Sequence, residues 1–340
     1  MSILRQLQLS LIKVPISILA SVLLVSLAPW CAAADGWQLP LTEYGHPDLQ
    51  GFWTNVTQTP IERPTELGEK QSYSEAEAMA LLQDALQQES DKAAPLDPAR
   101  PPPELGGRIG QEADINFSDT YSNVLQVRDE YRTSMIIDPP NGRFPFAPGA
   151  RDLDIHGQRR LAGFGASDGP EMRTAGDRCL SRGIPPMVVT PYNSNFQIVQ
   201  TQDHVMLLGE MVHDARIIRL DQPHLPFEFP AWLGNSVGHW EGDTLVVHTT
   251  HFREEISHFR LLSSSQLELT ERFQIIAEDA IVYSVTVTDP LIYSQPFTEE
   301  LTLTRHGPDD RLYEYACHEG NYGLTGILAG ARREEADRER

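Results

Sequence analysis

Basic residues are scarce in this sequence. Its 27 Lys and Arg stand against 48 Asp and Glu, which gives a formal net charge of −21 over 340 residues. A chain this acidic repels phosphate groups, so the balance argues against a nucleic-acid partner and against binding to an anionic membrane surface. Solubility alone is enough to explain the acidity, which identifies no cationic substrate.

Several familiar catalytic motifs are missing as well. The sequence contains no P-loop, no G-x-G-x-x-G segment that opens a helix and no H-E-x-x-H. These patterns carry phosphate binding, dinucleotide binding and zinc-protease chemistry. These absences argue against nucleotide, dinucleotide and zinc-protease chemistry, so we assign the protein no cofactor and no residue as a metal ligand.

The amino terminus has the three parts of a secretory signal. Arg5 and Lys13 give a positive start, an apolar run follows at 14–27, and residues 32–34 are the alanines that signal peptidase requires. The run is shorter than the roughly 20 residues that span a bilayer, and no later run approaches that length. We predict a cleaved signal peptide at 1–34 and a periplasmic or secreted protein without stable membrane insertion.

Cysteine is nearly absent from the predicted mature chain. Cys31 leaves a lipoprotein as an alternative, although Trp30 is too bulky for the residue before a lipidated cysteine. Once the signal is removed, only Cys179 and Cys317 remain. An even pair in an oxidising compartment predicts one disulfide, with a thiol nucleophile or a metal ligand as the alternative.

One segment has a strong helical pattern. Ser74 and Glu77 form an S-x-x-E capping box, and apolar residues follow at helical spacing from Ala78 to Ala85. The pattern predicts a helix over 74–89, followed by a Pro-rich linker or loop at 93–103. A short second helix is expected near the carboxyl terminus, over 324–333.

Strand patterns dominate the second half of the chain. Short runs of strand-forming residues recur with turn residues between them, and the helices of βαβ units are missing. This favours a mainly β fold, an antiparallel barrel with a sandwich as the alternative. The predicted strands lie at 48–54, 133–138, 196–201, 204–211, 215–220, 236–240, 243–249, 266–276, 280–288, 298–305 and 311–316.

Gly51-Phe52-Trp53 on the first strand, together with Arg305 on a late strand, resembles the lipocalin and calycin pattern. In that family the tryptophan of a G-x-W motif packs against an arginine from near the end of the barrel and closes one mouth. The resemblance implies a calycin-like barrel. The chain departs from the family because the segment 55–194 separates the first strand from the next barrel strands.

Four longer strings resemble a widespread family of uncharacterised exported bacterial proteins. They are GHPDLQGFW at 45–53, VHDARII at 212–218, WEGDTLVV at 240–247 and YEYACHEGN at 313–321. The resemblance implies export as a single unit, but no reaction. The expected organisation is an N-terminal extension at 35–183, with the first strand, the helix and long loops, and a barrel core with a C-terminal helix at 184–340.

Two polar clusters follow apolar strands, where barrels place ligand-facing groups. The first contains Glu210, His213, Asp214 and Arg216, of which Glu210 and His213 could bind a metal or act as an acid–base pair. The alternative for this cluster is a polar turn with an Asp214–Arg216 ion pair.

The second cluster precedes the predicted C-terminal helix. His318 and Glu319 are its acid–base candidates, and Asn321 and Tyr322 are candidate substrate contacts. A disulfide at Cys317 would hold His318 rigidly, which suits a catalytic base. The alternative is a strand-to-helix connection in which Glu319 and Asn321 cap the helix.

Charged residues also fall on apolar strand faces, at Glu271, Asp289 and Arg305. A charge at a core-facing position must be paired or used, so we expect a buried Glu271–Arg305 pair, with Asp289 as a third member, or contacts to substrate.

Histidines recur along one stretch, at His239, His248, His251 and His258. His248 and His251 face opposite sides if the strand stays regular, which argues against a shared metal.

These features favour a pocket for a small, partly apolar organic molecule. The leading hypothesis is a cofactor-independent acid–base enzyme, a lyase, isomerase or hydrolase. The alternatives are a non-catalytic carrier of an apolar ligand and an envelope protein that binds a protein partner. The catalytic candidates are His213, His318, Glu210, Asp214 and Glu319, and the substrate-binding candidates are Arg216, Glu271, Arg305, Asn321 and Tyr322.

Overall fold

The computed structural model describes residues 37–92, 99, 123–182, 185–190, 192–226, 229–257, 261–307 and 309–340. The predicted signal peptide, most of the Pro-rich stretch at 93–103 and His258 lie outside these residues. Residues Gln38–Arg340 form one compact unit. Within the described ranges, no helix is both long and apolar enough to cross a membrane.

The described residues form strands β1–β13 and helices α1–α4. The strands are β1 Gly51–Thr54, β2 Ser72–Tyr73, β3 Gln126–Val127, β4 Glu130–Arg132, β5 Ile136–Asp138, β6 Asn195–Gln200, β7 His204–Gly209, β8 Ala215–Leu220, β9 Asn235–Glu241, β10 Thr244–Thr250, β11 Glu268–Ala277, β12 Ala280–Thr288 and β13 Phe297–Arg305. The helices are α1 Glu75–Lys92, α2 Ala150–Leu153, α3 Ile155–Leu161 and α4 Tyr322–Arg338.

A closed barrel is built from β1 and the strands β6–β13. Neighbouring strands pair in that order, and β1 also pairs with β13, where Trp53 stands opposite Arg305. β5 extends the same sheet by pairing with β13. The closed sheet shows that the fold is a barrel and not a sandwich. It also includes β1 and β5, which lie before residue 184, where the barrel core was expected to begin.

One pair of neighbouring strands is parallel, so the expectation of a purely antiparallel barrel is wrong. β8 and β9 run in the same direction, with Ile218 opposite Ser236. A tight turn cannot join parallel strands, because the chain must return to the starting end of the sheet. Residues 221–226 and 229–234 belong to that return.

Alternation with a period of two places an apolar face inside the barrel, as the sequence pattern predicted. In β11 the residues Leu269, Glu271, Phe273 and Ile275 are buried, while the residues between them are exposed or half-buried. Removing such apolar surface from water contributes about 25 cal/mol per Å². The face therefore fixes the register of the strand, because a slip by one residue would expose it.

Trp53 and Arg305 make the contact that the G-x-W resemblance implied. The Arg305 guanidinium lies 4.1 Å from the Trp53 ring centroid, and it donates to the carbonyl oxygens of Gln50 and Glu278. Gly51, at φ 144°, leaves room for this guanidinium, because a Cβ there would lie 2.2 Å from Arg305 Nη1. The contact is made in a mixed barrel with one parallel pair.

The capping box starts α1 where the sequence predicts. Ser74 donates through both its N–H and its Oγ to Glu77 Oε2 at 2.8 Å, and the Glu77 N–H donates back to Ser74 Oγ at 3.4 Å. The helix continues to Lys92 instead of ending at Glu89. β2, β3 and β4 form a separate small sheet.

The predicted strand at 311–316 is wrong. These residues have no strand pairing, and the Tyr313 N–H donates instead to the Glu210 side chain at 3.1 Å. The predicted C-terminal helix is present and longer than expected, as α4. The predicted disulfide is confirmed, because Cys179 and Cys317 are bonded with their Cα atoms 5.7 Å apart.

Candidate functional site

A row of polar side chains crosses the inside of the barrel. It has one member on each of the neighbouring strands β8 to β12, and none of them is more than 4% exposed. A buried polar group is costly unless it is hydrogen-bonded, so each member needs a partner within the row. We call it the interior network: Arg216, Ser236, Thr249, Glu271 and Tyr283.

Arg216 and Glu271 are the charged pair of the interior network. Nη1 and Nη2 of Arg216 donate to the two carboxylate oxygens of Glu271 at 2.9 and 2.5 Å, a bidentate contact. Arg216 also donates to the hydroxyls of Ser236 and Thr249. The expected Glu271–Arg305 pair is therefore wrong, because β8 supplies the cation and Arg305 packs on Trp53 at the end of β13.

Tyr283 connects the Arg216–Glu271 pair to the backbone of Met187, which is not part of the network. Its hydroxyl donates to Glu271 Oε1 at 3.0 Å and accepts the backbone N–H of Met187 at 3.3 Å. Burial, followed by the nearby charge of Glu271, raises the pKa of Tyr283 well above its usual range. The phenol therefore stays protonated and acts as a hydrogen-bonding group rather than as a base.

Segment 185–190 packs onto the barrel beside Tyr283. Met187 is 1% exposed, and its peptide groups are held on both sides: the N–H by Tyr283 and the C=O by Asn55 Nδ2 at 3.3 Å. A small apolar cleft of about 10 Å³ lies here, with room for about one water molecule. Its lining residues are Ile61, Met135, Pro186, Met187, Val188, Val189, Leu261 and Glu299.

Asp289, the third charge predicted on an apolar face, has a structural role. It is 1% exposed, and its carboxylate accepts the Ser264 N–H at 2.6 Å, the Ser264 hydroxyl at 2.9 Å and the Leu291 N–H at 3.2 Å. These contacts fix the turn that leaves β12. Asp289 bonds neither to Glu271 nor to Arg305, so the expected triad is wrong.

Glu210 of the first predicted cluster lies in a buried, fully bonded position. It is 4% exposed and accepts hydrogen bonds from the side-chain amides of Asn193 and Asn195 and from the Tyr313 N–H. Three donors satisfy this carboxylate, so it joins the β6–β7 end of the barrel to the C-terminal segment.

Asp214 and His213 differ sharply in exposure although they are adjacent. Asp214 is 8% exposed and accepts from Ser181 Oγ at 2.8 Å and from the Arg182 N–H at 3.1 Å, and burial raises its pKa. His213 is exposed, at φ 46° in the left-handed region. The alternative Asp214–Arg216 ion pair is wrong, because Arg216 points into the barrel.

Asn321 of the second cluster caps α4. Its Oδ1 accepts the Leu324 N–H at 3.2 Å, and its Nδ2 donates to the Asp177 carbonyl at 2.9 Å. The capping alternative is thus confirmed for Asn321. The other candidates in this cluster, His318, Glu319 and Tyr322, are exposed.

Segment 177–182 links the two predicted clusters. Its Asp177 carbonyl holds Asn321, its Cys179 forms the disulfide with Cys317, and its Ser181 hydroxyl donates to Asp214. The clusters are therefore brought to the two sides of one short segment. Nothing in the spacing of the residues along the sequence indicated that connection.

His306 was missed by the sequence reasoning. Its Nε2 lies 2.9 Å from Asn195 Oδ1, its Nδ1 lies 3.2 Å from Asp310 Oδ2, and its ring stacks on Phe52 with centroids 4.2 Å apart. Asn195 in turn bonds Glu210. The available signal was its position directly after a strand that carries Arg305.

Tyr283 and Met187 were also missed as functional residues. Tyr283 alternates with aliphatic residues on a buried face of β12, and a buried tyrosine hydroxyl needs a partner. That requirement was the signal for the interior network. Met187 carried no comparable signal, because its contribution is a backbone N–H.

Residues 165–169, GASDG, match the G-x-S-x-G pattern of serine hydrolases. That chemistry requires the serine on a sharp turn between a strand and a helix. Here the string follows α3 and forms a turn closed by the Gly165 N–H, which donates to Asp168 at 2.7 Å. The match therefore gives no support to a serine hydrolase.

No protein-family model and no curated protein matches this chain. Among solved structures, the chain is similar to the crystal structure of a mutant of the fluorescent protein UnaG. The identity is 17%, the match covers 33% of this chain and 71% of that chain, and the TM-score is 0.22. A similarity at this level carries no argument about family or function.

Proposed function

We propose that this protein binds a small, partly apolar organic molecule in the cleft beside segment 185–190. The observation that carries the proposal is the interior network, which runs from Arg216 through Glu271 and Tyr283 to the Met187 amide in the cleft wall. A buried ion pair is weak support for stability, since apolar residues of similar volume often serve as well. A role in ligand binding would explain why the Arg216–Glu271 pair is buried here instead of apolar residues.

The binding proposal requires segment 185–190 to act as a lid. With space for about one water molecule, the cleft admits an organic molecule only when the segment moves outward. That movement frees the Tyr283 hydroxyl and the Asn55 amide from the Met187 peptide. A ligand with an N–H or O–H group for Tyr283 and a carbonyl for Asn55 would replace both bonds.

Native mass spectrometry tests this proposal. We expect protein purified from its natural host compartment to carry an organic mass that is lost on denaturation, and Tyr283→Phe to lower its occupancy. Tyr293→Phe is the matched control, because Tyr293 is similarly buried but donates to the Leu262 carbonyl. Equal occupancy in Tyr283→Phe and wild type, or no organic mass in either, would contradict the proposal.

A second candidate function is acid–base catalysis at the turn between β7 and β8. The observation that favours it is Asp214, a carboxyl whose pKa is raised by burial, directly beside the exposed His213. A lyase, isomerase or hydrolase could use such a pair, with His318 as a further acid–base candidate.

Turnover of a panel of esters, lactones and isomerisable ketones tests the catalytic candidate. We expect His213→Ala to abolish the turnover, and His318→Ala to do so if the second cluster takes part. His239→Ala is the control, since His239 is exposed and pairs with Glu241. Full turnover in both His213→Ala and His318→Ala would remove this candidate.

We also infer that the protein is exported and that its barrel is calycin-like. The N-terminal signal pattern and the Cys179–Cys317 disulfide support export, because disulfides persist in oxidising compartments. The contact of Trp53 with Arg305 supports the calycin relation. N-terminal sequencing of periplasmic material should begin at Asp35, and a chain that begins at Met1 would contradict export.

A further inference from the structure

Two imidazoles face each other on the outside of the barrel, away from the cleft and from the polar clusters. His224 lies in the 221–234 connection and His248 on β10, with Nε2 of His224 3.0 Å from Nδ1 of His248. The rings stand at 76° to each other. Two nitrogens bound to one tetrahedral zinc ion lie about 3.3 Å apart, so this spacing is close to that of two ligands.

We propose that His224 and His248 chelate a divalent transition-metal ion, of which Zn²⁺, Ni²⁺ and Cu²⁺ are the chemically matched examples, and that His251 turns in as the third ligand. Imidazole nitrogen suits each of these ions. The site is separate from the cleft, and it departs from the sequence expectation of no metal.

The backbone around His224 is held in place by its surroundings. The backbone is pinned on each side of His224, because Arg219 donates to the Pro223 carbonyl at 3.0 Å and Asn235 donates to the Leu225 carbonyl at 3.2 Å. Such fixed ligands lose little freedom when a metal binds.

The Glu268 carboxylate lies on the side of the His248 ring that faces away from His224. Nε2 of His248 lies 3.6 Å from Glu268 Oε2, while Nδ1 of His248 faces His224. Metal-binding histidines commonly direct the second ring nitrogen to a carboxylate, which fixes the tautomer and raises the basicity of the ligating nitrogen. Glu268 lies beyond hydrogen-bond length of Nε2, on the side of the ring where such an outer partner would stand, opposite the Nδ1 that faces His224.

The backbone at His251 departs from regular strand geometry, so His248 and His251 need not face opposite sides. A regular strand would turn His248 and His251 to opposite faces, but β10 ends at Thr250 and His251 has φ 60°. Its ring is exposed and bonds to the neighbouring Thr250 hydroxyl at 2.7 Å. Within the described residues no three metal-binding side chains are gathered around one position, so the proposed site requires a rotation of the His251 side chain.

Calorimetric titration of the full, EDTA-treated protein with ZnCl₂ at neutral pH tests the site. We expect saturation at one zinc ion per chain, and a loss of affinity of at least about tenfold in His224→Gln, in His248→Gln and in His251→Gln. His239→Gln should bind as wild type, because His239 is an exposed histidine paired with Glu241. Circular dichroism of each variant confirms that it is folded.

Several results would overturn the assignment. Absence of saturable zinc binding in the wild type, or wild-type affinity in His224→Gln or His248→Gln, would exclude the chelate. Wild-type affinity in His251→Gln would exclude the third ligand. The absorption bands of tetrahedral Co²⁺ give a second readout, and they should be lost in His224→Gln and retained in His239→Gln.

Discussion

Arg216 and Glu271 lie 55 positions apart in the sequence and form the central charge pair of the barrel. Each is acceptable in a dry interior only because the other is present, and because Ser236, Thr249 and Tyr283 use the remaining hydrogen-bonding capacity. The two charges therefore depend on each other. Replacing only one of them should destabilise the protein far more than replacing both.

Arg216→Met should destabilise the protein by about 3 to 5 kcal/mol, because it leaves the Glu271 carboxylate buried without a cation. Arg216→Met combined with Glu271→Leu should recover most of that loss. Urea unfolding of the three proteins measures the difference. Additive losses in the double variant would mean that the two residues do not act as a pair.

Asp214 should make stability depend on pH in the acidic range. Its folded-state pKa is raised above the ordinary 3.8, so the folded protein binds the proton more tightly than the unfolded chain does. The contribution of this group to the free energy of unfolding should increase as pH falls through the raised value, and level off below 3.8. Asp214→Asn should remove that contribution. Identical pH profiles in urea unfolding for both proteins would contradict it.

At the scale of elements, the barrel depends on the short seam between β1 and β13. Two residue pairs, Trp53 with Arg305 and Thr54 with Thr304, make the seam. Arg305 strengthens it by lying on the Trp53 ring and bonding carbonyls at both sides. Gly51 permits that position of the guanidinium, so the seam is sensitive to a single methyl group.

Gly51→Ala should destabilise the protein by about 1 to 3 kcal/mol more than Gly45→Ala. Both glycines have positive φ, but a Cβ at Gly51 meets Arg305 and Trp53, whereas a Cβ at Gly45 meets nothing within 4 Å. The difference between their urea midpoints reports the contact with Arg305 and Trp53 together with any difference in backbone strain between φ 144° and φ 81°. Equal losses would show that the seam tolerates displacement of Arg305.

At the scale of the whole molecule, the disulfide holds the C-terminal segment to the rest of the chain. It spans 138 positions, and α4, which follows it, has no buried residue. Other contacts that hold this region are the bond from Asn321 to Asp177 and those from Arg332 to the carbonyls of Ser167 and Asp168. These bonds are at or near the surface, so the covalent link carries much of the attachment.

Replacing both Cys179 and Cys317 by Ser should lower the free energy of unfolding by about 2 to 5 kcal/mol, since a long loop is no longer closed in the unfolded chain. The same replacement should increase proteolysis after Tyr322. Dithiothreitol should reproduce both effects in the wild type and change neither in the variant. An unchanged urea midpoint in the variant would contradict a stabilising role for the bond.

The sequence by itself determined the strands β6–β12 to within a few residues, the cap of α1 and the disulfide. These depend on local alternation, on short-range capping or on the two cysteines left in the predicted mature chain. The Trp53–Arg305 contact was implied by the resemblance to the calycin pattern, whereas the core-facing charge of Arg305 had predicted a pair with Glu271. The prediction of a strand at 311–316 was wrong because this segment does not pair with another strand. Its backbone bonds to a side chain instead, as the Tyr313 N–H does to Glu210. Glu271 and Asp289 were correctly judged to be buried, but their partners were not predicted.

Only the tertiary structure decided which charge meets which. Arg216 reaches Glu271 because β8 lies three strands from β11 in the closed sheet, and that order includes a parallel step that no local pattern encodes. The same closure placed Met187 on Tyr283 and His224 against His248. Side-chain period is a property of neighbouring residues, whereas partners across a barrel follow from strand order, which only the whole chain fixes.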